Sequence, residues 1–517
     1  MPKPKSFLKE TSKTKKKTKQ QQEPQTADEF LADHIISLTK TGLVHITAGV
    51  DLEEGGEKWR AGDSVKSMRF FMRAIETYDN GLSKHPTSFD LAYNKARVQY
   101  EITQHPKLAK QLSAPLVKVL QVALQSHREA LALDQDNADV LFNTAQVLTS
   151  IAEALTEAKH PTDRQIQEAL QNLREALELF QRCLVVQELR YTEAQEQIRM
   201  MESGEFGGAE QQMQEPEQAE PSNATESDQD QEQEQWAAVV EPVTKSTLVD
   251  TAVAQLQTLT TLCNLLTFNP NGKDVAWVEE YSFELLNTKI AAYVDGSDRH
   301  YEVALARAEF MAALSELSYR SGRIEVDTYQ RELEAVFGPN LDVSDDPEGL
   351  CSKAEALVSL NSALSDLPPP HPEQISKSLV LRWQALSSAL DALTAASKHP
   401  DADNLPKIHI ARGDAEMYRW RLGCPPWGYK AAHDNAATLL RNAQTYYRGA
   451  AALARRDGAK DEERDGTCKE AIAAALAGDR TKLDQLRTTA AKDVMAVAED
   501  MVGDNMVMAS DLEPLLS

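Results

Sequence analysis

Small and apolar residues recur along this chain at helical spacing, with charged residues filling the positions between them. The clearest stretch runs from Gly55 to Tyr100. Within it Ser67, Phe71 and Ala74 form a small–aromatic–small pattern, which Ala74, Tyr78 and Gly81 repeat seven residues later. Seven residues is close to two helical turns, so all five positions share one face. Small side chains there let a neighbouring helix approach, and the rings fill the space between. The helix stops at His85-Pro86, and Asp90 to Tyr100 opens another. The doubled form returns at Ala169/Leu173/Ala176/Phe180/Cys183 and Ala436/Leu440/Ala443/Tyr447/Ala450, with a shorter form at Ala123/His127/Ala130. Leu248, Val253, Leu256, Leu259, Leu262 and Leu266 make one apolar stripe, and Ala385/Ala389/Ala392/Ala396 another. Further helices are predicted near 273–293, 299–321, 323–337, 350–366, 373–397, 461–477 and 480–504.

This pattern fills a chain of 517 residues, too long for one ordinary core, so several domains or an elongated stack of helices is expected. Aromatic residues are only 6% of it, which suits helices packed through Ala and Leu. The net charge of −25 argues against a nucleic-acid surface on the folded body and fits a basic protein partner. Cys183, Cys263, Cys351, Cys424 and Cys468 are far apart and read as reduced thiols, not a zinc site or disulfide frame. No apolar run approaches the ~18 residues of a membrane span. The N-terminus lacks the apolar stretch of a secretory signal.

The repeated pattern resembles the tetratricopeptide repeat (TPR): a helix Gly or Ala, a turn Gly, a small–aromatic–small second helix, then Pro. Gly55 and Gly62 stand where that family places its helix and turn glycines. Tyr93, Asn94 and Ala96 match the first helix of a second unit, and Ala145 opens a third. Gly55 to Ala96 is 41 residues and Ala96 to Ala145 is 49, against the family's roughly 34. The first excess is one extra heptad in the second helix; the second falls in a loop around His105 to Pro115. The resemblance implies an all-α, TPR-like solenoid that holds other proteins. It also implies packing roles for Gly55, Gly62, Ser67, Phe71, Ala74, Tyr78, Gly81, Pro86, Tyr93, Ala96, Ala123, Ala130, Ala145, Ala169, Ala176 and Phe180, and peptide contact by Asn94 and Asn143. Family members that clamp a C-terminal carboxylate need Lys, Arg and Asn donors at places held here by Leu52, Gly56, Asn94, Asp139 and Asn143. Only Asn94 matches, so the standard clamp is not expected.

Charge divides the chain further. Residues 1–19 carry eight Lys against one Glu, with Lys13, Lys15, Lys16, Lys17 and Lys19 clustered as in a nuclear import signal. From Glu202 to Gln235 there are eleven acidic residues, eight Gln and no Lys or Arg, a composition that cannot bury a core. The expected layout is a disordered basic tail over 1–26, TPR-like repeats over 27–190 and an acidic disordered linker over 191–243. Further helical repeats and a cap follow over 244–507, then a flexible tail over 508–517.

Signatures of catalysis are missing: there is no phosphate loop ending in Lys-Ser or Lys-Thr, no His-Glu-x-x-His and no Gly-x-Ser-x-Gly. Five His-Pro pairs, at His85, His105, His160, His371 and His399, read as helix stop signals and lack metal-ligand spacing. Arg412-Gly413-Asp414 reads as a helix Gly with polar neighbours. No cofactor, metal or small-molecule ligand is expected, and no membrane partner. The leading expectation is a non-catalytic nuclear scaffold or assembly factor for a basic client, such as a ribosomal or chromatin protein. The alternatives are a cytoplasmic co-chaperone or peptide-binding adaptor, and an enzyme with a helical site.

Overall fold

A computed structural model describes residues 43–157, 161–202 and 243–516. Among these every regular element is a helix, so the chain is all-α. The helices of the first part are α1 (Leu43–Arg60), α2 (Ser64–Lys84), α3 (Phe89–Gln104), α4 (Pro106–Ala109), α5 (Leu116–Leu133), α6 (Ala138–Leu155) and α7 (Asp163–Glu202). After residue 242 come α8 (Lys245–Leu266), α9 (Gly272–Glu284), a π-turn over Leu285–Lys289, α10 (Ile290–Val294), α11 (His300–Arg320) and α12 (Val326–Val336). The chain continues as α13 (Pro347–Asp366), α14 (Pro372–Ala396), α15 (Leu405–Leu422), α16 (Lys430–Asp434) and α17 (Ala436–Asp457). It closes with α18 (Lys460–Leu476), α19 (Thr481–Thr489), α20 (Ala491–Gly503) and α21 (Ala509–Leu516). The break between α19 and α20 divides the single helix expected over 480–504.

Side-chain caps set several starts, because the first backbone N–H groups of a helix have no partner within it. Asp63 accepts from Lys66 N at 2.9 Å, and Asn137 accepts from Asp139 N and Val140 N. Thr244 and Thr247 form a capping box for α8. Of the His-Pro pairs, His105 ends α3 as the sequence suggests, and both it and His371 open a helix. His105 and His371 precede Pro106 and Pro372, which sit in the first turns of α4 and α14, where a missing N–H costs nothing. His85 does end α2. His160 lies outside the described residues.

Each helix packs chiefly on helices near it in the chain: α1 on α2, α2 on α3, α3 on α5, and so through α6, α7, α8, α11, α13, α14, α15 and α17 to α18. The small–aromatic face makes these contacts. Ser67, Phe71, Ala74 and Tyr78 are wholly buried, as are Ala169, Leu173, Ala176, Cys183, Ala443, Tyr447 and Ala450. Ala96, Ala123, Ala130 and Ala145 are buried too, with Phe180 and Gly81. The Ser67 hydroxyl on the α2 face donates to the Gly56 carbonyl at 2.7 Å and so is satisfied.

Of the expected pair only Gly55 is closely packed, a Cβ there lying 2.8 Å from the Phe70 ring, and the tightest glycines are others. A Cβ on Gly49 would lie 2.2 Å from the Tyr78 ring, and one on Gly413 2.3 Å from the Tyr447 ring. These positions admit no side chain unless the ring moves. Gly55 lies against Phe70 and Gly56 against Phe71. Gly62 and Pro86 are exposed at turns and pack against nothing in the core, so their part is to shape and end helices.

Three further expectations are corrected. Residues 191–202 do not belong to a linker, because α7 continues through them to Glu202. One hydrophobic core also runs from Leu120 in α5 to Leu317 in α11, joining helices on both sides of 203–242. Across that junction Thr251 donates to Gln187 at 2.8 Å and Tyr281 to the Leu177 carbonyl at 2.7 Å. A second core runs from Leu305 to Leu512, so α11 serves both. Residues 509–516 form a helix instead of a loose tail. Leu512 is buried in the second core, and Arg480 donates to the carbonyls of Pro514 and Leu515.

Candidate protein-interaction face

The first helix of each successive pair touches the first helix of the next: α1 meets α3, α3 meets α6, α6 meets α8, α8 meets α11 and α11 meets α13. Polar side chains tie this row together. At its start Glu53 of α1 is buried, and it accepts from the Tyr78 hydroxyl and pairs with Arg97 of α3. Burial raises the Glu53 carboxyl above its ordinary value, a push only partly countered by Arg97 and Tyr78. Glu101 extends the network, accepting from Arg60 at 2.8 Å and lying 3.7 Å from Arg97. Arg60 also bonds His105 at 2.9 Å, and burial with the Arg60 charge holds that imidazole below its ordinary value.

The next rungs are neutral. Asn143 of α6 donates to the Tyr93 hydroxyl of α3 at 2.8 Å, and Tyr100 meets Ser150 at 2.9 Å. Burial and the Asp139 charge push the Tyr93 phenol up to about 12. Thr149 and Thr258 link α6 to α8 at 3.2 Å. Farther on, Ser352 donates to Glu309 at 2.6 Å and Arg320 to Asp366 at 3.0 Å, joining α11 to α13. Asn143 therefore holds neighbouring helices in register. Asn94 is half-buried beside it on α3. Leu52 and Gly56 are buried and Asp139 is exposed, so none of these three supplies a cationic donor.

The buried charges were not foreseen from the sequence. A second pair joins three helices near the C-terminus: Lys469 of α18 donates to both Asp414 oxygens at 2.8 and 2.9 Å. Tyr447 of α17 adds a third bond to Asp414 at 2.7 Å. Glu53–Tyr78–Arg97 and Asp414–Tyr447–Lys469 share one plan: an acid on one helix, the ring hydroxyl on its partner, and a cation on the helix after. The available signal was a tyrosine in place of phenylalanine at the deep aromatic position, since a buried hydroxyl needs a partner.

Among the described residues, no three His, Cys, Asp or Glu side chains come together as a metal site would require. No described helix is long and apolar enough to cross a membrane. Of the 25 surplus negative charges, eleven fall in 203–242, and residues 1–42 carry nine Lys against five acidic residues, so the remainder of the chain is strongly acidic by itself. Lys13, Lys15, Lys16, Lys17 and Lys19 lie outside the described residues.

No family model matches the chain. It is 33% identical over 135 residues to the UPF0656 protein C926.02 of Schizosaccharomyces pombe, a stretch that covers 26% of this chain and 29% of that one. The chain thus spans less than a third of the length of the curated relative it matches.

Proposed function

We propose that this protein is a non-catalytic scaffold or assembly factor, built as a TPR-like α-solenoid, that holds a basic client protein. The observation that carries the reading is the row of first helices, laid side by side and locked by polar rungs on an acidic body. Such a row offers a long, fixed surface along which an extended or folded partner can lie. Carboxylates in excess attract a Lys- and Arg-rich partner and repel acidic ones, which favours fast and selective encounter. The small–aromatic helices and their resemblance to TPR units support the solenoid. The lysine cluster at residues 13–19 supports a nuclear site of action, where basic chromatin and ribosomal proteins are assembled.

Affinity purification of the full chain from cells, with mass spectrometry of what it retains, finds the client. The client is then made recombinantly and titrated against the chain by fluorescence anisotropy. The reading predicts a basic protein bound without nucleic acid and without nucleotide turnover. An acidic or neutral client, or substrate turnover by the purified chain, overturns it.

A further inference from the structure

Among the described helices, most connections carry one proline or none. The connection from α13 to α14 departs from this: Leu367-Pro368-Pro369-Pro370-His371 runs into Pro372 in the first turn of α14. Pro368 halts α13 and Pro372 opens α14, which are the ordinary uses of proline at helix ends. Neither use calls for Pro369 and Pro370. The excess shapes the backbone. Each proline fixes φ near −65°, and a residue that precedes one is kept out of the helical region. Leu367, Pro368, Pro369 and His371 all precede a proline, so the run is held extended, in or near the polyproline II range. Leu367 has φ −127° and ψ 73°, and His371 φ −102° and ψ 138°.

Both ends of the run are pinned. Leu367 donates its N–H to the Ala363 carbonyl at 2.9 Å and accepts from the Tyr319 hydroxyl at its own carbonyl. The His371 carbonyl accepts from Ile375 N at 2.9 Å. Between these points the prolines have no N–H, and the carbonyls of Pro368, Pro369 and Pro370 accept no hydrogen bond among the described residues. The run also faces outward. From Leu367 to Gln374 every residue except Pro369 is exposed, and Leu367, though apolar, is 45% exposed. Pro369 is buried and ties the run to the body. No Lys or Arg lies within 367–374, so ring faces and free carbonyls are what this surface offers a partner.

We propose that residues 367–372 are a docking ligand for a partner protein domain whose aromatic-lined groove reads polyproline II segments. Proline-rich segments dock in such grooves as preformed, extended ligands. The exposed Leu367, Pro368 and Pro370 supply the apolar faces, and a Trp N–H or Tyr O–H of the groove can donate to the free carbonyls. Because the run is pinned at both ends before the partner arrives, little ordering entropy remains to be lost on binding. Recognition through rings and carbonyls also needs no opposite charge, so the acidity of the surrounding chain does not set the partner's sign.

The test titrates the full chain into three fluorescein-labelled domains, one WW, one SH3 and one EVH1, and reads anisotropy. At least one should bind saturably. Pro368→Ala and Pro370→Ala together should weaken that binding about tenfold or more, while helix content and melting temperature stay unchanged. Competition on the unmodified chain gives a readout independent of any variant's folding: an excess of a polyproline peptide should displace the chain from the domain. Replacing an aromatic residue of the domain's groove by Ala should abolish binding as well. Failure of all three domains to bind, equal binding by the folded double variant, or binding that polyproline does not displace each overturns the proposal.

Discussion

Replacing Lys469 by Met probes a deeply buried charge pair near the C-terminus. The Lys469 side chain is 4% exposed and that of Asp414 12%, and Nζ lies within 2.9 Å of both carboxylate oxygens. Met fills similar volume, so packing is nearly conserved. What changes is that Asp414 keeps only the Tyr447 hydroxyl as donor. Breaking a buried pair from one side leaves an uncompensated charge, at a cost of about 3–5 kcal/mol. For a cooperative unit of ~200 residues each kcal/mol lowers the melting temperature by ~2–4 °C, so the transition involving α15–α18 should drop by roughly 6–20 °C. Converting Asp414 to Asn in the same chain removes the stranded charge while still accepting from Tyr447. The double variant Asp414→Asn/Lys469→Met should therefore recover much of the loss, giving a coupling energy of about 1–3 kcal/mol in a double-mutant cycle. Differential scanning calorimetry and urea unfolding followed at 222 nm measure both quantities. A loss below ~1 kcal/mol for Lys469→Met, or a double variant no better than the sum of the singles, would refute the buried pair.

Three further outcomes follow from the same packing and charge. Ala74 is wholly buried between α1 and α2, so Ala74→Trp should cost about 1–3 kcal/mol or more, and an unchanged melting curve would mean that this face is not the contact. His127 is buried with Nδ1 bonded to the Ala123 carbonyl at 2.9 Å, and burial holds it below its ordinary 6.5. The unfolded chain then takes up that proton first, so this contribution is present above pH ~6.5 and fades as pH falls towards the lower folded value. His127→Gln should lessen the dependence of melting temperature on pH in that window; equal slopes would contradict it. Changing Lys13, Lys15, Lys16, Lys17 and Lys19 to Ala should move a fluorescent fusion from nucleus to cytoplasm while leaving client affinity intact in vitro. A nuclear fusion that no longer binds would assign those lysines to the contact instead.

What could be read from the sequence was whatever depends on spacing. Ser67, Phe71, Ala74 and Tyr78 announce a buried face because small and aromatic residues at intervals of three and four leave few other uses. The same holds for Ala169 to Cys183 and for Leu440 to Ala450. The buried charges could not be read this way. Glu53, Arg97, Asp414 and Lys469 look like any polar residue on a solvated helix until the partner helix supplies the other charge, and those partners are 44 and 55 residues away. The unbroken core across 203–242 was hidden for a related reason. The composition of an acidic stretch says nothing about whether the helices before and after it pack together. Leu512 was missed because a short apolar run at a chain end has no periodicity to declare itself.

The most direct test of the central claim is the affinity of the purified full chain for its client as a function of salt. A basic protein held on an acidic helical surface should bind more weakly as salt rises, because the screening length shrinks from about 10 Å at 0.1 M towards 3 Å at 1 M. Anisotropy titrations across that range should show the dissociation constant rising at least tenfold, with charge-reversed client peptides failing to compete. An affinity that does not change with salt, or a charge-reversed peptide that competes as well as the native one, would contradict the account.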